Sequence, residues 1–182
     1  MAEYYKLRED LSIEFFGHKL FRIECIKELK DVKVGDLGGY IEKEENLTGN
    51  AWVYGDAKVS GNARVYGNAE VFGNAEVYGD ARVYGDAEVF GDAKVFGNAM
   101  VSGDARVYGD KIRRKNDVCN ITGQDYNITI TPNHIKIGCQ YHSKTAWFKF
   151  RDSEIEKMDG QLALDFWKVW KPILKSICEK DK

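Results

Sequence analysis

Cysteine and histidine lie close together in the string CQYH, where Cys139 and His142 have the C-x2-H spacing of half a zinc site. Cys119 and His134 could complete a set of four ligands if the chain folded the two segments together. The competing interpretation is structural, because a cysteine at the end of a strand is usually a small buried apolar residue. We favour that interpretation and predict no bound metal and no cofactor. If a metal does bind, these four residues are the candidate ligands.

Ten consecutive copies of the six-residue frame G-[ND]-A-x-V-[YFS] run from Gly49 to Tyr108, and Gly109 and Asp110 close them. Alanine and valine are two residues apart, so in an extended segment both side chains point to the same side. Glycine and the following Asn or Asp adopt the backbone conformations that a tight corner needs. This short, unbroken period predicts a parallel β-helix with alanine and valine in its interior.

The frame resembles the left-handed β-helix of hexapeptide-repeat proteins, whose coils take three hexapeptides each. The strings FRIECIKELKDVKVGDLGGYIEKEENLTGNAWVYGDAKV and ITITPNHIKIGCQYH are similar to a family of hexapeptide-repeat proteins found in bacterial genomes, prophages and phages. This resemblance implies a mainly β fold, namely a left-handed parallel β-helix with an N-terminal β-hairpin cap and a C-terminal small β-sheet plus α-helix. It also implies a phage or prophage origin.

The flanking segments divide the chain into an N-terminal β cap at 1–48, the β-helix at 49–110 and a C-terminal sheet and helix at 111–182. Alternating residues around Gly17 predict a hairpin in the cap. In the C-terminal segment we predict strands at 126–131 and 134–139, and a third in KTAWFKF. From Asp152 the period becomes helical. The predicted apolar face of that helix contains Leu162, Phe166, Val169, Trp170, Ile173 and Ile177, and Ala163, Trp167 and Leu174 widen it.

Charge and hydropathy exclude several classes of partner. The net charge of −2 combines an acidic 49–110 segment, with 5 basic and 9 acidic residues, and a basic 111–182 segment, with 14 and 9. We interpret the run KIRRK at 111–115 as a solvated connection, because nucleic-acid sites spread basic groups over a whole face. No apolar stretch approaches the ~20 residues of a membrane span. We predict a cytoplasmic protein, in the host cytosol if phage-encoded, without a membrane or nucleic-acid partner.

Enzymatic activity is disfavoured by where the histidines lie. Many left-handed β-helix proteins are acyltransferases, so the resemblance raises the question of a histidine general base held by the coils. His18, His134 and His142 all lie outside the 49–110 segment. We therefore predict that the protein is not an enzyme, and an acyltransferase-like enzyme is the minor alternative.

Two sets of outward side chains are the candidates for binding. With the 18-residue coil that the resemblance implies, residues 18 apart stack on one another. Stacked arginines can bind phosphate and stacked tyrosines can bind a base. The alternative is that the rings only stabilise neighbouring coils. The candidates are Tyr54, Phe72, Phe90 and Tyr108 on one side, and Arg64, Tyr66, Arg82 and Tyr84 on another.

These observations favour a non-enzymatic binding protein. For a phage-encoded chain, the expectation is an antagonist of a host defence factor, which either blocks a host protein or sequesters a nucleotide signal. The alternative is a structural scaffold, a trimeric spacer without a ligand. In both cases we expect a homo-oligomer, a trimer, because long aromatic ladders and a wide apolar helix favour burial against a partner. The expected oligomer contact combines one side of the solenoid with Phe166, Trp167 and Trp170 of the C-terminal segment.

Overall fold

Glycine sets the path of the backbone between residues 49 and 109 in the computed structural model, which describes residues 3–179. Every sixth residue from Gly49 to Gly109 is a glycine with φ between 60° and 77°. This left-handed region strongly favours glycine. A side chain at such a corner would also lack space, because a Cβ built on Gly67 would lie 3.0 Å from the backbone nitrogen of Gly85. The corners therefore turn sharply and stack closely.

An antiparallel sheet forms the N-terminal cap. Strand β1 (Tyr5–Phe15) pairs with β2 (His18–Cys25), which confirms the hairpin predicted around Gly17. Strand β3 (Leu37–Ile41) then pairs with the other edge of β2.

Short strands between the glycine corners stack on three faces of a parallel β-solenoid. The first face contains β4 (Trp52–Val53), β7 (Glu70–Val71), β10 (Glu88–Phe90) and β13 (Arg106–Tyr108). The second face contains β5 (Lys58–Val59), β8 (Glu76–Val77), β11 (Lys94–Val95) and β14 (Lys111–Ile112). The third face contains β6 (Arg64–Gly67), β9 (Arg82–Gly85) and β12 (Met100–Val101).

The solenoid core consists of the alanines and valines of the frame. Residues 18 apart pair along each face, as Val53 does with Val71. Every alanine and valine of the frame from Ala51 to Val107 is at most 1% exposed. Because these side chains are apolar and fully buried, they supply most of the driving force for folding of the solenoid.

The second face continues into both flanking segments. Strand β3 pairs in parallel with β5, and β14 pairs with β11, so one sheet has the order β1-β2-β3-β5-β8-β11-β14. Below the first complete coil, Asn46 is fully buried, and its Nδ2 donates to the carbonyls of Gly61 at 3.1 Å and Ala63 at 2.8 Å. These bonds satisfy carbonyl groups at the end of the third face.

The C-terminal segment forms a second layer with its own core. After a 3₁₀ turn at Lys115–Asp117, four antiparallel strands follow in the order β15-β16-β17-β18. They are β15 (Cys119–Ile121), β16 (Ile128–Ile130), β17 (His134–Ile137) and β18 (Gln140–Ser143). Helices α1 (Lys144–Lys149) and α2 (Asp152–Glu179) pack against this sheet through Trp147, Phe166 and Trp167.

Two of the three strands predicted in this segment are confirmed as β16 and β17, but the prediction of a strand in KTAWFKF is wrong. A tight turn at Gly138, with φ of 55°, starts the additional strand β18. That strand ends at Ser143, whose Oγ accepts a hydrogen bond from the backbone nitrogen of Ala146 at 3.1 Å. Ser143 is therefore the N-cap of α1, and the residues after it are helical.

Helix α2 is broken at Asp159 and Gly160, and one side of its wide predicted apolar arc is buried. The residues that pack on the sheet include Ala163, Phe166 and Trp167. Three residues at the other edge of that arc point to solvent, because the sheet covers only one side of the helix. These are Leu162 at 53%, Val169 at 61% and Ile173 at 42% exposure.

Candidate functional site

Strands β6 and β9 form the longest parallel pair among the solenoid's own strands and hold a square array of four outward side chains. Arg64 pairs with Arg82 and Tyr66 pairs with Tyr84 in the strand register. Alternation along each strand buries the intervening valine and turns the arginine and the tyrosine outward. Both arginines are exposed and both tyrosines are half-buried. The four residues predicted as a phosphate-and-base site therefore lie together on the third face.

The two arginines differ from the other charged residues of the coils. Arg64 and Arg82 are direct neighbours of the same charge, and within residues 3–179 neither forms an ion pair with a carboxylate. Like charges directly opposite each other destabilise a sheet, and a bound anion removes that repulsion. On the other two faces two of the cations form ion pairs within the coil, whereas Lys58 donates to the backbone carbonyl of Asp56. Those pairs are Lys94 with Glu76 at 2.7 Å and Arg106 with Glu88 at 2.5 Å.

The tyrosines of the array form a short stack. The rings of Tyr66 and Tyr84 have centroids 4.9 Å apart and planes within 4° of parallel. The next position in the same register is Ser102, which carries no ring. The stack therefore ends at Tyr84 on the side of Ser102.

A longer ladder of rings covers the first face. The ring of Phe72 stacks on that of Phe90 at 5.0 Å, and Tyr54 and Tyr108 extend the ladder at its two ends. All except Tyr108 are half-buried, because each ring covers its neighbour. Burial raises the pKa of Tyr54 to about 12. At the other end Tyr108 is 48% exposed and contacts the ring of Tyr141 edge-on at 5.6 Å. This ladder joins the solenoid to the C-terminal layer.

A buried carboxylate marks the same junction. Asp110 is 1% exposed, and its carboxylate accepts hydrogen bonds from Asn133 Nδ2 at 2.8 Å and from the hydroxyl of Thr131. Nδ1 of His134 lies 2.9 Å from Oδ2 of Asp110, and the imidazole stacks on Tyr141 at 4.8 Å. Sequence reasoning missed this cluster. Its signal is the position of Asp110 at the corner where the repeating frame ends.

The four candidate metal ligands do not converge. His134 bonds to Asp110, whereas His142 packs edge-on against the rings of Trp147 and Phe150. Burial lowers the pKa of His142. Cys139 is exposed at the β17–β18 turn, and Cys119 lies on β15, at the far side of β16 and β17. Within residues 3–179, no group of three or more His, Cys, Asp or Glu side chains is arranged to hold a metal ion.

The basic run at 111–115 is built into the end of the solenoid. Lys111 begins β14, and Arg114 donates through Nε to Asp117 at 3.0 Å. The Asp117 carboxylate also accepts the backbone N–H groups of Arg113 and Arg114. Part of the run is thus a strand and part a hydrogen-bonded turn, and its four lysine and arginine residues are all exposed.

The three predicted oligomer contacts lie in the C-terminal core. Phe166 is 7% and Trp167 2% exposed, both packed on the chain's own sheet, and the half-buried Trp170 stacks on Phe166 at 5.6 Å. Their burial is intramolecular. Beside them, sequence reasoning missed a cavity of about 220 Å³ between the sheet and α2.

The fold defines the protein as a parallel β-solenoid capped at one end by an antiparallel sheet and at the other by a small α+β layer. The family model described as YdcK beta solenoid repeat matches residues 57–73 and 93–109. Both matches lie in the coils, so the chain is similar to that family in its repeats. No curated protein matches the chain. Within residues 3–179, neither helix is long and apolar enough to cross a membrane.

Proposed function

We propose that the protein is a non-enzymatic binding protein whose third face binds a phosphorylated ligand with a planar base, of which a nucleotide is the simplest example. The observation that carries the proposal is the unneutralised pair of exposed guanidinium groups on Arg64 and Arg82. Each guanidinium can donate two parallel hydrogen bonds to phosphate oxygens, and such charge-assisted bonds are among the stronger ones in proteins.

The tyrosines of the same array supply the second half of the recognition. A base at the level of Ser102 would continue the Tyr66–Tyr84 stack on the side of Tyr84 where no further ring follows. Stacking of a base on an aromatic side chain contributes about 1–3 kcal/mol. Because the array is held by two hydrogen-bonded strands, little ordering of the protein accompanies binding.

In a cell, a protein that binds a nucleotide without converting it lowers the free concentration of that nucleotide. If the chain is phage-encoded, as the sequence resemblance implies, capture of a nucleotide signal would antagonise a host defence. The single array on each chain sets the stoichiometry of this capture at one ligand per chain, and sequestration then requires protein in excess of the signal.

Isothermal titration with ADP and with cyclic di-AMP tests the proposal, together with the ratio of absorbance at 260 and 280 nm of the purified protein. We expect binding of at least one probe by the wild-type chain, weakened by about tenfold or more in Arg82→Ala because one charge-assisted phosphate contact is lost. Arg106→Ala is the matched control, since Arg106 is paired with Glu88 on the first face. Absence of binding to both probes, with no excess absorbance at 260 nm, contradicts the proposal.

A second candidate function is a homo-oligomeric scaffold, a trimeric spacer without a ligand. It is favoured by the exposed apolar side chains of α2, which include Leu162 and Val169. The same titrations separate the two candidates, because a scaffold stays free of nucleotide and yet assembles.

A further inference from the structure

The cavity in the C-terminal layer is independent of the array on the third face. It lies between β17 and α2, has a volume of about 220 Å³, and its lining is dominated by apolar side chains. Trp147, Phe166 and Trp167 supply aromatic surfaces, and Met158 and Ala163 supply the helix side. An apolar cavity of about 150 Å³ already accepts a benzene molecule. A ligand of about nine non-hydrogen atoms therefore matches this volume.

One residue of the lining, Trp167, carries a buried donor without a partner. The indole Nε1 of Trp167 is buried and has no hydrogen-bond partner among the described residues. In the neighbouring Trp147, 5.2 Å away between ring centroids, Nε1 donates to the carbonyl of Ile135 at 2.7 Å. An unpaired buried N–H costs free energy, and an acceptor on a bound molecule would remove that cost.

The break in α2 lies beside the cavity, because Met158 and Asp159 belong to its lining. Gly160 has φ 64° and ψ −153°, a conformation essentially restricted to glycine, and it separates Asp159 from the rest of the helix. Asp159 Oδ2 accepts a hydrogen bond from the hydroxyl of Tyr126 at 2.6 Å, which links the helix to the loop before β16. The Asp159 carboxylate in the lining disfavours an anionic ligand.

We propose that this cavity is a binding site for a small neutral molecule with an aromatic or otherwise apolar body and one hydrogen-bond acceptor. The body packs between Trp147, Phe166 and Trp167, and the acceptor takes the indole N–H of Trp167. This site goes beyond the nucleotide-binding function proposed for the third face, and the two can be tested separately.

Three probes of equal size test the chemistry: acetophenone, which is neutral and has an acceptor; cumene, which lacks the acceptor; and benzoate, which is charged. The readout is the indole N–H resonance of Trp167 in a two-dimensional NMR spectrum, assigned by its loss in Trp167→Phe. We expect acetophenone to shift this resonance saturably, and cumene and benzoate to bind at least about fivefold more weakly.

Ala163→Leu fills the cavity and should abolish the shift, whereas Lys168→Ala, at an exposed position of the same helix, should retain it. Nuclear Overhauser contacts between acetophenone and the Trp167 indole proton in the wild-type chain make the test independent of how well Ala163→Leu folds. Absence of a saturable shift with acetophenone overturns the proposal. Equal binding of benzoate, or of cumene, overturns the neutral-ligand or acceptor assignment.

Discussion

Asp117 shows how a single side chain fixes the end of the solenoid. Its carboxylate is 8% exposed and accepts the backbone N–H groups of Arg113 at 2.8 Å and Arg114 at 2.9 Å. Burial alone would raise the pKa of this carboxyl, but the hydrogen bonds from the two arginines outweigh burial and hold the pKa below its usual value. The ionised form is thus favoured in the folded state more than in the unfolded chain.

Replacing Asp117 with asparagine should destabilise the protein in a pH-dependent manner. The folded-state pKa is lowered, so the contribution of the carboxylate is fully present above the ordinary pKa of aspartate and is lost as the pH falls through the folded value. We expect Asp117→Asn to lower the free energy of unfolding by about 1 kcal/mol at pH 7. The difference should shrink towards pH 2.

Thermal unfolding of both proteins at pH 7 and at pH 3 or below measures this effect. Asp125→Asn is the control, because Asp125 is exposed in the loop before β16. A difference between wild type and Asp117→Asn that stays constant over this pH range contradicts the assignment of the stabilisation to the ionised carboxylate.

At the scale of the element, the ring ladder of the first face acts as a unit. Phe72 and Phe90 are direct neighbours 18 residues apart, with centroids at 5.0 Å and planes within 6° of parallel. A double-mutant cycle with Phe72→Leu and Phe90→Leu should give a coupling energy of about 0.5–1.5 kcal/mol, because each ring contacts the other. Urea unfolding of the four proteins measures it.

The control cycle pairs Phe72→Leu with Phe96→Leu. Phe96 stacks on Tyr78 in a different column, at 5.2 Å, so it should not couple to Phe72. Additive effects in the Phe72–Phe90 cycle would show that the rings stabilise the solenoid only by covering its surface.

The repeating elements could be predicted from the sequence because one period determines both corner and core. The frame placed each valine inside and put Arg64 beside Arg82 and Tyr66 beside Tyr84, all of which the strand register confirms. The C-terminal elements were harder, because they do not repeat. Helix α1 follows the N-cap Ser143, and the wide apolar arc predicted for α2 is buried only on the side of Ala163 and Trp167.

The cavity could not have been predicted from local sequence. Its lining combines Tyr126, Cys139, Trp147 and Met158 from separate elements that meet only through tertiary packing. The unpaired indole of Trp167 likewise depends on the orientation of its ring. Local patterns give the faces of strands and helices, and they do not give the space left between two packed layers.

At the scale of the whole molecule, a polar cluster and a ring contact hold the C-terminal layer on the solenoid. Asp110 at the last corner bonds to Asn133 and His134 from the C-terminal sheet, and the hydroxyl of Tyr141 donates to the carbonyl of Tyr108 at 2.6 Å. The hydrogen bonds of the buried Asp110 carboxylate are directional. The two cores are therefore separate but fixed in orientation by a few hydrogen bonds across the junction.

The exposed apolar side chains of α2 are candidates for a contact between subunits of a homo-oligomer. Because Phe166 and Trp167 are buried in their own chain, a homo-oligomer cannot use them without unfolding the C-terminal core. Leu162, Val169 and Ile173 remain exposed on the outer side of the same helix. Side chains of this kind favour burial against a partner when they are contiguous. We therefore expect these three residues, and not the buried aromatic residues, to form the oligomer contact.

Light scattering coupled to size exclusion should give a mass of about 62 kDa, three times the 20.7 kDa of one chain, at micromolar concentration. Combining Leu162→Gln, Val169→Gln and Ile173→Gln should shift the protein towards the single-chain mass without unfolding it, because the three side chains are exposed in the monomer. Leu37→Gln is the control, since Leu37 is exposed to 45% on the N-terminal cap. A single-chain mass for the wild type contradicts oligomerisation. A triple variant that keeps the wild-type oligomer mass instead places the contact on the solenoid faces.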